Sequence, residues 1–192
     1  MGQAARRKSD ETKWLATLDE SERTVVRAAR LLHRLFPLEG ACYHLSFFLE
    51  YYLMRECGIE GRTVVGFVND GTDDLYGSHA WYVFREKMTD IALCRPQHPH
   101  LQPAGPLVVH GREITPGRAR YSYHTERPPV GRAALLRLLE DPEKREAAGF
   151  AEQLHERVSS LPGDYEAIAE YLSGAPAGMD YVTMAHALEA NL

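Results

Sequence analysis

The chain carries a thiol, an imidazole and a carboxylate in an order that suits nucleophilic catalysis. Cys42 lies in Gly40-Ala41-Cys42-Tyr43-His44-Leu45-Ser46, where an apolar helical pattern begins. His79 lies in Ser78-His79-Ala80-Trp81, at the start of a strand-like run. Asp90 lies in the next such run, Met88-Thr89-Asp90-Ile91-Ala92-Leu93. A thiol nucleophile needs a base, and the base needs an acceptor that orients it. Cys42, His79 and Asp90 are therefore the candidate catalytic residues. Gly40 lets backbone and substrate approach closely, Tyr76 is an aromatic placed to line a cleft, and Trp81 follows His79-Ala80 directly. These three are the candidate substrate-binding residues.

The elements must bring these residues together. A helix is expected from about 20 to 36, with Val25, Val26, Ala29, Leu32 and Leu35 on one face and Pro37 ending it. A second helix, from about 41 to 57, is apolar nearly all round and reads as buried. Gly58 supplies its stop. Cys42 then sits in the first helical turn, where free N–H groups and the positive dipole end favour negative charge on sulfur. The same groups suit the oxyanion of a tetrahedral intermediate.

Residues 62–68 form a β-branched run, and 79–85 and 88–93 read as two strands joined at Glu86-Lys87. In that register Asp90 faces Val83, four residues short of His79, and a twist, bulge or longer connection has to close the gap. The stretch 69–77 reads as an acidic loop, with Asp70, Asp73 and Asp74 walling a cleft that would disfavour acidic substrates. The proline- and glycine-rich stretch 94–117 reads as one long loop, and 118–124 as a returning strand. Helical patterns follow over about 131–140, 143–159, 164–173 and 179–190. The expected class is α+β: a buried catalytic helix on an antiparallel sheet, with a C-terminal helical lobe. The expected organisation is a flexible N-terminus over 1–12, a catalytic core over 13–125 and a helical extension over 126–192.

Of the 192 residues, 44% are hydrophobic and 26% charged, ordinary values for a globular chain, and the formal net charge is −5. That charge argues against a partner held by phosphate neutralisation, so no nucleic acid is expected. No apolar run approaches the ~20 residues of a membrane span. No membrane association is expected. Met1-Gly2 opens like a myristoylation signal, but Arg6 stands where a small hydroxyl residue is needed. Three cysteines, with no export signal and no Cys-x-x-Cys pair, fit reduced thiols and a cytoplasmic setting. His98, His100, His110 and His124 lack metal-ligand spacing, so neither metal nor cofactor is expected. Cys57 reads as core, and Cys94 as core or a second thiol of lesser reactivity.

At these positions the chain resembles the transglutaminase-like cysteine enzymes, a branch of the papain-like superfamily. The family's Gly-x-Cys opening of a long helix, with a small residue four positions on, is matched by Gly40, Cys42 and Ser46. Its Gly-hydrophobic-x-x-Arg segment leading to a glycine-ended strand is matched by Gly58, Ile59, Arg62 and Gly66. His79-Ala80-Trp81 and Asp90 complete the ordered set. The chain departs from the pattern where Ile91-Ala92 follow the aspartate, and in its short His79–Asp90 spacing. The resemblance implies a Cys42 nucleophile, a His79 base and an Asp90 orienter acting on a peptide or protein amide through a thioester. Family members include peptidases, deamidases and amide-forming transferases. Some have lost activity, so a binding or scaffold protein is the alternative expectation.

Overall fold

The computed structural model describes residues 3–192, and Met1 and Gly2 lie outside them. Among the described residues there are seven helices and six strands: α1 (Gln3–Ala16), α2 (Glu20–Leu35), α3 (Cys42–Cys57), β1 (Arg62–Asn69), β2 (Gly77–Phe84), β3 (Lys87–Thr89), β4 (Leu107–Val109), β5 (Arg112–Thr115), β6 (Ser122–His124), α4 (Pro129–Glu140), α5 (Arg145–Ser159), α6 (Tyr165–Ser173) and α7 (Tyr181–Glu189). The class is α+β. An antiparallel sheet runs in the order β3-β2-β1-β6, and β4-β5 form a separate hairpin. No helix among the described residues is long and apolar enough to cross a membrane.

α3 is the centre of the molecule. Its Phe47, Phe48, Leu49, Tyr52 and Leu53 are buried on every side. They pack with Val25, Ala29 and Leu32 of α2, Ile168 and Leu172 of α6, Met184 and Leu188 of α7, and Tyr82 and Phe84 of β2 in one core. Burial of each large apolar side chain is worth about 1.5–3 kcal/mol. The same core also takes in a carboxylate, Glu50. Its Oε2 accepts the Thr63 N–H at 2.8 Å and its Oε1 the Gly163 N–H at 2.7 Å, which ties α3 to β1 and to the turn before α6.

Three expectations are corrected. Residues 1–12 are not a frayed end throughout: α1 covers them from Gln3, and Trp14 at its C-terminal end packs beneath the guanidinium groups of Arg30 and Arg112. The stretch 94–117 is not one loop, because β4 and β5 pair within it around His110 and Gly111, both in the left-handed region (φ 50° and 75°). Such residues make a tight two-residue hairpin, and the prolines on either side obscure it. The third strand does not run 88–93, because it ends at Thr89. Asp90 instead bridges Val108, with backbone bonds of 2.8 and 3.0 Å.

The β2–β3 turn is also displaced by one residue. Arg85 and Glu86 take the left-handed turn positions (φ 49° and 61°), so Phe84 pairs Lys87 and Tyr82 pairs Thr89. Continued by one step, this register sets Asp90 opposite Trp81, which puts His79 at the diagonal position on the same face. The four-residue gap becomes two.

Candidate active site

Cys42 is the first residue of α3. Gly58 ends the helix in the left-handed conformation (φ 64°). At the start the cap is Ala41, whose side chain makes no capping bond, so the first-turn amides are not taken by a cap. Gly40, two residues before the thiol, adopts φ +63°, and its N–H donates to the Arg95 carbonyl at 3.0 Å. A Cβ on Gly40 would stand 2.7 Å from the Cβ of Gln97. Glycine at this position therefore allows the segment after Asp90 to close over the start of α3.

His79 is 4% exposed and Asp90 1%. His79 Nε2 donates to Asp90 Oδ2 at 2.7 Å. Tyr123 Oη donates to the same oxygen at 2.8 Å. The other oxygen, Oδ1, accepts the Ala92 and Leu93 N–H groups at 3.0 and 3.1 Å. The carboxylate is thus held by four donors. With Nε2 engaged, Nδ1 is the free imidazole nitrogen, and Cys42 is a neighbour close enough to help raise the basicity of the ring. The structure therefore brings together Cys42, His79 and Asp90.

The electrostatics of the pair follow from its burial. Desolvation alone would push His79 towards the neutral form, but the Asp90 charge and the neighbouring Cys42 outweigh it, and the imidazole is held well above its ordinary range. Desolvation likewise opposes the Asp90 charge, and His79 with the two backbone N–H groups holds the carboxyl below its ordinary range. Tyr123 is pushed up by burial and by Asp90, so its hydroxyl remains a donor.

The aromatic candidates occupy different places. Trp81 is 6% exposed and backs the pair, edge-on to Tyr123 at 5.2 Å and 6.4 Å from the His79 ring. Gly66 on β1 makes room for it, since a Cβ there would lie 2.8 Å from the Trp81 ring and 2.3 Å from the His124 carbonyl oxygen. Tyr76 stands apart from the three candidate catalytic residues, edge-on to His124 at 5.2 Å and over Gly131 of α4. The acidic loop is partly self-contained: Asp70 and Asp73 accept backbone N–H groups within it, and Asp74 lies 3.8 Å from Arg137.

Two groups of residues have no local signature in the sequence. Tyr123 reaches Asp90 because β6 returns antiparallel to β1, pairing Tyr123 with Val68. A chain of hydroxyls also joins α5 to the site. Tyr43, next to Cys42, donates to Ser78 Oγ at 2.6 Å, and Ser78, next to His79, donates to His155 Nδ1. Burial keeps His155 below its ordinary range, which suits an acceptor nitrogen.

The other thiols lie in different surroundings. Burial, followed by the Glu56 charge, pushes Cys57 up. Burial, followed by the Asp90 charge, pushes Cys94 up to about 11. Both remain thiols at neutral pH. The histidines considered for metal binding are dispersed: His110 donates to Glu22, His124 bonds Ser122, and His98 and His100 share a loop. Among the described residues no group of three or more His, Cys, Asp or Glu side chains is placed to hold a metal ion.

Comparison of the chain with protein-family models, with curated proteins and with solved structures returns no match.

Proposed function

We propose that the chain is a cysteine acyl-transfer enzyme of the transglutaminase-like kind, attacking a peptide or protein amide through a thioester on Cys42. The observation that carries this reading is the buried His79–Asp90 pair, with Nε2 2.7 Å from Oδ2 and Nδ1 left for the thiol at the start of α3. In the acylation step the Cys42 sulfur attacks the carbonyl carbon, and the first-turn N–H groups of α3 stabilise the oxyanion. His79 then gives its proton to the departing amine as the C–N bond breaks. Water or a second amine attacks the thioester, His79 takes up its proton, and the sulfur leaves. Asp90 keeps the imidazole oriented and its positive charge compensated throughout.

The second reading is a binding or scaffold protein that keeps this fold without chemistry. It draws on the small exposure of Cys42, 9% of the residue. Incubation with p-nitrophenyl acetate followed by mass spectrometry separates the two readings. The enzyme reading expects a hydroxylamine-labile acetyl group on Cys42 that is absent in His79→Ala. The scaffold reading expects no such adduct.

A further inference from the structure

Ser78 and His155 make a hydroxyl–imidazole contact that the chemistry at Cys42 does not use. Ser78 is the second residue of β2, so its side chain leaves the sheet on the face opposite that of its neighbour His79. There its Oγ donates to Nδ1 of His155 on α5 and accepts the Tyr43 hydroxyl at 2.6 Å. The imidazole is fixed by packing: it lies 4.4 Å from the Phe67 ring, which in turn carries the Arg127 guanidinium at 4.3 Å. Burial, helped by the Arg127 charge, holds His155 below its ordinary range against the opposing charges of Glu152 and Glu156. Nδ1 is therefore an unprotonated base at neutral pH. Burial also keeps the Tyr43 hydroxyl protonated, so it stays a donor to Oγ and favours the negative charge that grows there when the serine proton leaves. A hydroxyl with a neutral imidazole as its acceptor is the arrangement of an activated serine nucleophile.

The same serine is half-buried and lines a cleft of about 180 Å³ between α4, α5 and the start of β2. Leu75, Leu135, Leu138 and Ala151 give the cleft an apolar wall. Arg127 and Glu152 line it too and neutralise each other in a bidentate pair with one bond of 2.7 Å. Arg127 gives Glu152 two donors of a five-donor guanidinium and is a cation on this wall able to meet an oxyanion. An apolar wall with its charges paired favours a neutral occupant, and the volume is similar to that of a ~150 Å³ apolar cavity that admits benzene. We propose that Ser78 and His155 are a second nucleophile–base pair, independent of Cys42, that hydrolyses esters with a small, neutral, apolar acyl group held in this cleft.

With p-nitrophenyl butyrate, Ser78 Oγ bonds to the acyl carbon as its proton passes to His155 Nδ1. The ester C–O bond breaks, p-nitrophenolate departs with the electron pair, and His155 releases its proton to solvent. Water then attacks the butyryl-serine, His155 takes the water proton and returns it to Oγ, and butyrate leaves. The test uses the full chain carrying Cys42→Ala, so that the thiol contributes nothing. This protein is incubated with diisopropyl fluorophosphate, whose fluoride is displaced by an activated serine, and the adduct is located by mass spectrometry. Turnover of p-nitrophenyl butyrate is measured beside it, with Ser78→Ala and His155→Gln each added to the same background. The proposal expects a diisopropylphosphoryl group on Ser78, formed at least about tenfold more slowly in His155→Gln, and a fall in turnover of at least about tenfold in both variants, the low side of what a general base supplies. Because the adduct is sought on an unaltered Ser78–His155 pair, a variant that fails to fold does not blunt the test. No adduct at Ser78, an adduct formed equally fast in folded His155→Gln, or turnover within about twofold of the background in folded Ser78→Ala would overturn the proposal. None of these outcomes bears on the Cys42 reading, which is tested by its own acetyl adduct.

Discussion

His79 and Asp90 meet diagonally across the β2–β3 hairpin, with Nε2 2.7 Å from Oδ2, because the turn at Arg85–Glu86 sets Tyr82 opposite Thr89. The imidazolium is stable in this buried position only while the carboxylate is charged. Asp90→Asn preserves the shape and removes the charge, so burial then drives His79 to the neutral form. Alkylation of Cys42 near neutral pH is expected to fall by about tenfold or more, each tenfold corresponding to about 1.4 kcal/mol. A rate within about twofold of wild type would count against the ion pair.

Tyr123 is the second donor on Asp90 Oδ2, at 2.8 Å. Tyr123→Phe keeps the edge-on packing against Trp81 and removes only the hydroxyl. A hydrogen bond to a charged group contributes about 1.5–3 kcal/mol, and a loss of roughly that size is expected in urea unfolding, together with slower alkylation of Cys42. Unchanged values for both would show that the backbone N–H groups alone hold the carboxylate.

Glu22 couples α2 to the hairpin that precedes Asp90. It completes the capping box with Asp19, and its Oε1 accepts Lys87 Nζ at 2.6 Å and His110 Nε2 at 3.0 Å. Lys87 first, then His110 and the Asp19 N–H, lower its pKa to about 2. A folded value below the unfolded one means that the stabilisation is complete above about 4.5 and is lost as pH falls towards 2. The melting-temperature difference between wild type and Glu22→Gln should therefore shrink on acidification through that window. A difference independent of pH would sink the assignment.

Much of this arrangement was legible in the residues. The apolar run after Cys42 reads as a buried helix because nearly every side chain in it is apolar, and α3 is that helix. The β-branched run after Gly61 reads as β1 for an equally local reason. Three features were not legible because their causes are not local. The displaced turn depends on two non-glycine residues, Arg85 and Glu86, taking left-handed conformations. The β4–β5 hairpin relies on His110 doing the same amid prolines. Tyr123 and His155 reach the site through tertiary pairing alone, across sequence separations of 33 residues to Asp90 and 77 to Ser78.

The central claim is that His79 activates Cys42. The most direct measurement is the second-order rate of iodoacetamide alkylation at Cys42, followed by mass spectrometry between pH 5 and 10, in wild type and His79→Ala. The account predicts that wild type reacts at least about tenfold faster at pH 6 and that the gap closes above pH ~9, where an ordinary thiol ionises unaided. Equal rates for the two proteins at every pH would contradict it.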